Sequence, residues 1–258
     1  MSVNAKVDLE PAFVLHQRPY RESSLLLEVF GLHTGRVGLI AKGARRPKSA
    51  FKAVLNPFRE LLLSWRSRSE LGLLVGAEAE GPARIIPPAS LVSGLYTNEL
   101  LVKLLHRHDP HPELFLQYRD TLEALVDPAR SLEQILRIFE KRLLESVGYG
   151  LILDRAADSG EALRADRNYY YIADVGPVTA TETRTGTRVS GATLLALACE
   201  RLEQGSTRRE AKKLMRNVIN SHLEGKPLLS RTIFASASQF RKQAPSKQAK
   251  IPVPAASE

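Results

Sequence analysis

The sequence predicts an α+β chain: a five-stranded N-terminal barrel of OB-fold type followed by a mostly α-helical region. Two observations carry this expectation. Five short apolar or alternating runs crowd into the first eighty residues, divided by turn residues. After Gly81-Pro82 the apolar positions recur at helical spacing instead. Composition allows both parts a core, since 43% of the 258 residues are hydrophobic and 25% charged, far from a disordered composition.

The strands are expected at Ala12–His16, Ser23–Phe30, Gly35–Ala41, Arg59–Trp65 and Glu70–Glu78. Turn signals lie between them, at 18–21, 31–35, 43–57 and 66–69. Five strands in so short a segment favour closure, because a flat sheet of that size leaves unpaired edges. An SH3-like barrel fits the count nearly as well as the OB fold.

Helices are expected at Ser90–Leu105, Pro112–Leu125 and Ser131–Val147. The first puts Leu91, Leu95, Asn98, Leu101, Val102 and Leu105 near one face. The third follows the breaker Asp127-Pro128, carries Ser131 and Gln134 in capping-box register, and ends at Gly148-Tyr149-Gly150. Residues 150–189 read as a polar and tyrosine-rich insertion, with a loop over Asp154–Arg167 and then Tyr169–Ile172. Helices resume at Ser190–Glu203 and Thr207–Leu223. The expected division is 1–81 for the barrel, 82–240 for the helical region, and a disordered basic tail over 241–258, which is rich in Pro, Ala and Lys without periodicity.

Net charge is +9, unevenly spread. Residues 31–68 hold nine basic side chains against Glu60, and residues 201–250 hold twelve against three acids. Residues 85–200 are mildly acidic, with twelve basic against sixteen acidic. Two basic ends favour a polyanionic partner, nucleic acid before a membrane surface. One cysteine, Cys199, cannot build a disulfide framework, and its apolar neighbours predict a small buried side chain. The N-terminus lacks a signal-peptide apolar region, no stretch reaches about 18 apolar residues, and a cytoplasmic, nucleoid-associated location is expected.

The most pointed feature is the strand exit at Lys42-Gly43 with the loop that follows. Arg36, Lys42, Arg45, Arg46, Lys48 and Lys52 are expected at a barrel rim, where clustered cations can follow successive phosphates and release counterions. Phe51, Phe58 or Trp65 would supply stacking platforms. A second basic stripe, Arg209, Lys212, Lys213 and Arg216, lies along a predicted helix whose Leu214, Val218 and Ile219 can face the core. The cluster from His106 to His111 has ligand-type side chains but no metal-site spacing, so no metal is expected. A P-loop, a nucleophile elbow and a His-Glu-x-x-His motif are all absent, which favours binding without catalysis and no cofactor.

Several segments, in order, resemble the RecO family of bacterial recombination mediators. They are Ala12–Phe30, Gly35–Arg45, Leu55–Phe58, Ser93–Leu100, Arg137–Leu144 with Gly148–Gly150, and Gly225–Arg231. The resemblance spans about Ala12–Phe234, nearly the whole chain. It implies an OB-fold joined to a helical domain, with no chemical step. It also implies binding of single- and double-stranded DNA, annealing of complementary strands, and help in loading RecA with RecR. The acidic C-terminal tail of single-stranded-DNA-binding protein is the further partner implied. On this chain Lys42, Arg45, Arg46 and Lys48 would contact DNA, and Arg137, Arg142, Leu143 and Leu144 would receive the tail. The four-cysteine zinc module of some family members has no counterpart, because residues 151–172 hold no cysteine. By class, an RNA-binding or ribosome-associated OB-fold protein is the alternative.

Overall fold

A computed structural model describes residues 5–81, 85–179 and 186–234. The expected tail at 241–258 lies outside them. The first five strands, β1 (Ala5–Tyr20), β2 (Ser24–Gly31), β3 (Gly35–Ala41), β4 (Glu60–Ser67) and β5 (Leu71–Ala79), form a closed barrel in the order β1-β2-β3-β5-β4. The pairing of β3 with β5 is parallel and the rest antiparallel, which is the OB-fold arrangement. A short helix, α1 (Phe51–Val54), lies between β3 and β4.

β1 is much longer than the expected Ala12–His16, because one strand must pair with both β2 and β4 to close the barrel. Register shifts at Val7/Glu10 and Val14/His16 bend it around the curve. Pleating divides its side chains. Ala12 and Val14 join Leu27, Val29, Leu39, Leu61, Leu63 and Trp65 inside the barrel. Phe13 and Leu15 point outward, with Phe30 and Phe58, into the core of the helical region.

That region contains α2 (Pro88–Leu104), α3 (Pro112–Val126), α4 (Leu132–Ser146), α5 (Gly191–Ala198) and α6 (Gly205–His222). Phe13 meets Phe115 and Tyr118, both at 5.0 Å between ring centroids, and Phe30 meets Phe115 at 5.5 Å. These tilted and edge-on contacts seal the barrel to α3. Two ion pairs and a neutral hydrogen bond add further links. Arg119 grips Glu60 through Nε (2.8 Å) and Nη2, Arg107 donates to Glu28 (2.5 Å), and Asn98 donates to the Leu15 carbonyl (2.9 Å).

Several expectations are corrected. Asn98, Leu101 and Leu105 of the expected α2 face are buried, but Leu91 and Leu95 are 41% and 37% exposed, and Ser93, Gly94, Tyr96, Thr97 and Leu100 are buried in their place. Ser131 is the N-cap of α4, but its side chain makes no capping bond, and Gln134 reaches the Glu200 carbonyl (3.4 Å). Cys199 is exposed, because it follows the last turn of α5 and leaves the buried Leu194–Leu197 face. The insertion is not only loop: β6 (Asn168–Ile172), β7 (Gly176–Thr179) and β8 (Thr187–Ser190) form a sheet in the order β7-β6-β8. Tyr169 and Tyr171 are buried in it and use their hydroxyls to accept from the Arg164 and Ile152 amides.

Candidate nucleic-acid interface

The loop leaving β3 is fixed at one end of the barrel by its own chemistry. Gly43 has φ +68, a left-handed conformation that glycine adopts without strain and that turns the chain sharply. The Arg45 amide donates to the Ser23 carbonyl (2.9 Å), and its guanidinium Nη1 donates to the carbonyls of Glu22 (3.2 Å) and Arg21 (3.4 Å). The loop is therefore tied to the β1–β2 turn. Turn bonds from the Arg46 amide to Gly43 and from the Ser49 amide to Arg46 complete it.

Around this clasp Lys42, Arg45, Arg46, Lys48 and Lys52 are exposed, and none makes an ion pair among the described residues. The structure thus brings five of the six barrel candidates to one surface. Arg36 is the exception. Its side chain is 15% exposed, its Nη1 meets Glu28 (2.9 Å) and its Nε donates to the Leu105 carbonyl (3.0 Å). Burial lowers its pKa, opposed by Glu28. Arg36 is an internal strut between barrel and helices. Phe58 and Trp65 are 5% and 3% exposed, and half-buried Phe51 packs on the barrel core, so none of the three presents an open ring.

On α6, Arg209, Lys212, Lys213 and Arg216 are exposed while Leu214, Val218 and Ile219 are buried, as the helical period requires. Lys212 reaches Glu133 (3.5 Å). Beside this stripe is a cavity of about 550 Å³ walled by α2, α4, α6 and residues 231–234. Val92, Leu132, Leu136 and Phe234 give it apolar walls, and Lys212, Arg216 and Arg231 give it cations. At its base Arg137 donates to Glu140 (2.5 Å), and the Tyr96 hydroxyl donates to the same carboxylate oxygen (2.6 Å). Burial, then the Glu140 charge, push the Tyr96 phenol up. Among the described residues, Arg137 Nε, Glu140 Oε2 and Arg231 Nη2 are buried without a hydrogen-bond partner.

Of the four residues assigned to an acidic tail, only Arg137 borders this cavity. It is 5% exposed and neutralised by Glu140. Arg142 turns away to clamp Glu200 (3.0 and 2.5 Å), while Leu143 and Leu144 are fully buried in the core. Helical periodicity places Lys212 and Arg216 on the outer face of α6, but only the packing of α6 against α4 sets them beside a cavity. The His106–His111 segment forms a turn in which His111 meets Asp109 (3.2 Å). Among the described residues no three His, Cys, Asp or Glu side chains converge as metal ligands, and no helix is long and apolar enough to cross a membrane.

A closed OB-type barrel with a pinned cationic loop, joined to a helical region that carries a basic helix face, defines the class of protein. The family profile described as recombination protein O, N terminal, matches residues 7–82, and the corresponding C-terminal profile matches residues 88–232. The chain belongs to the recombination protein O (RecO) family. It is 51% identical over 234 residues to the DNA repair protein RecO of Methylococcus capsulatus, covering 91% of this chain and 96% of that protein. The RecO proteins of an Azoarcus species and of Coxiella burnetii are 43% and 42% identical, over 90% and 88% of this chain and 97% and 98% of theirs.

Proposed function

We propose that this protein acts in DNA repair and recombination as a DNA-binding mediator. It anneals complementary strands and helps load recombinase onto single strands coated by single-stranded-DNA-binding protein. The observation that carries the reading is the loop from Lys42 to Lys48, with its cations exposed, unpaired among the described residues and tied to the β1–β2 turn by Arg45. Such a surface neutralises phosphates without reading bases, which annealing needs. Relatives bearing the name DNA repair protein RecO, matched over most of their length, support the same role.

The mediator makes and breaks no covalent bond. Single- and double-stranded DNA are its ligands, RecR its protein partner, and RecA its indirect one. The acidic C-terminal tail of single-stranded-DNA-binding protein enters the cavity beside α6. Lys212, Arg216 and Arg231 meet its carboxylates. The test is annealing of complementary strands coated with single-stranded-DNA-binding protein, intact or lacking its tail. Faster annealing on the intact coat than on the tail-less one is the expected result. Equal rates, or none above the protein-free rate, would count against the mediator role.

A further inference from the structure

Tyr20 ends β1 at the rim just described. Its ring is half-buried, and the Arg21 guanidinium lies over it at 5.3 Å from the centroid. Arg21 is exposed, makes no ion pair among the described residues and has φ +52, a left-handed conformation disfavoured for a side chain of its size. What holds it there is the Arg45 guanidinium on the carbonyls of Arg21 and Glu22. Backbone strain of this kind persists only where surrounding contacts enforce it.

The sheet register sets what shares this spot. Pro19, Leu25 and Ala41 form one row across β1, β2 and β3, and Tyr20 with Ser24 begins the next, where Lys42 leaves β3. Arg18 stands two residues before Tyr20, on the same face of the pleat, opposite to the face that fills the barrel. The ring is thus an aromatic surface among Arg18, Arg21, Lys42 and Arg45. Glu22 is the acid of that turn, while Glu28 is taken up by Arg36 and Arg107.

We infer that Tyr20 is a stacking platform for one unpaired nucleobase, with Arg21 moving from the ring to the adjoining phosphate as the base arrives. The inference rests on the DNA-binding reading and adds a preference to it. Bases of a duplex are already stacked on one another, whereas those of a single strand present a free face. Stacking at Tyr20 makes the rim favour single strands, which phosphate contacts alone do not.

The test compares full-length wild type with Tyr20→Ala and Tyr20→Phe by fluorescence anisotropy. The probes are a labelled single-stranded oligodeoxynucleotide and an abasic strand of equal length. Tyr20→Ala is expected to weaken binding to the ordinary strand about tenfold. It should leave both abasic binding and the salt slope unchanged, and Tyr20→Phe should stay within about twofold of wild type. Wild-type affinity of Tyr20→Ala for the ordinary strand overturns the inference, as does an equal loss on both strands. Poor binding by Tyr20→Phe also overturns it, since that variant keeps the ring. A wild type that binds neither strand contradicts the DNA-binding reading itself and the stacking site with it.

Discussion

Arg119 on α3 holds Glu60 at the head of β4 from two sides, Nε and Nη2 each donating to a different carboxylate oxygen. Glu60 is 6% exposed, so its charge depends on this partner. The same hydrogen bonds raise the Arg119 pKa against its partial burial.

Breaking that pair leaves a buried carboxylate without its counter-charge, which typically costs about 3 kcal/mol. Arg119→Ala is expected to lower the urea midpoint accordingly. Replacing both residues with apolar side chains should recover part of the loss. A midpoint within error of wild type for Arg119→Ala would show that the barrel and the helices do not rely on this contact.

Gly94 tests packing against propensity. In an open helix, Gly→Ala gains about 1 kcal/mol. At Gly94 the new Cβ would lie 2.9 Å from Cε1 and 3.1 Å from Cζ of Phe58, a buried ring held by a backbone at φ +67. Overpacking of this kind costs about 1–3 kcal/mol, so net destabilisation of Gly94→Ala is expected in the same titration. Stabilisation would mean that α2 and the barrel can separate slightly at no cost.

Glu200 gives a pH dependence. Burial would raise its carboxyl, but hydrogen bonds from Arg142 and Lys141 outweigh that and hold it below the ordinary 4.5. The folded chain therefore binds this proton less tightly than the unfolded one. The stabilisation is complete above the unfolded value and fades as pH falls through the lower folded value. Glu200→Gln should be less stable than wild type at neutral pH by about 1 kcal/mol, given the partial exposure. Urea titrations at successively more acid pH should show the gap closing, and a constant gap would contradict the clamp.

The cavity beside α6 makes its own demand. A labelled peptide with several carboxylates and an apolar C-terminal residue should lose about tenfold in affinity when Arg216 is replaced by Glu. Arg142→Ala should leave binding unchanged, because Arg142 is committed to Glu200. The opposite pattern would return the peptide site to the outer side of α4.

Much of this was legible in the residues. Four of the five barrel strands, β1 being the exception, and five helices fall near their expected places, because apolar runs bounded by turn residues mark β2 and β3 and the 3.6-residue period of α6 buries one clean face. Trp65, expected as a platform, was misread although the signal was present: it continues the inward set of Leu61 and Leu63 and so faces the barrel core. Arg36 and Arg137 were misread because a buried cation differs from an exposed one only by its partner, and Glu28 and Glu140 become partners through packing. Tyr20 was hidden by the turn signal that surrounds it, and the sheet β6–β8 by strands of four or five residues rich in Gly, Pro and Thr.

The salt dependence of single-strand binding tests most directly whether the barrel rim holds the phosphate backbone. Lys42→Ala, Arg46→Ala and Lys48→Ala together spare Arg45, which the fold uses to fix the loop. The slope of log affinity against log salt should flatten by about 2, at about 0.7 per lost phosphate contact, with equal weakening on unrelated sequences. A folded triple variant with the wild-type slope would place the DNA elsewhere.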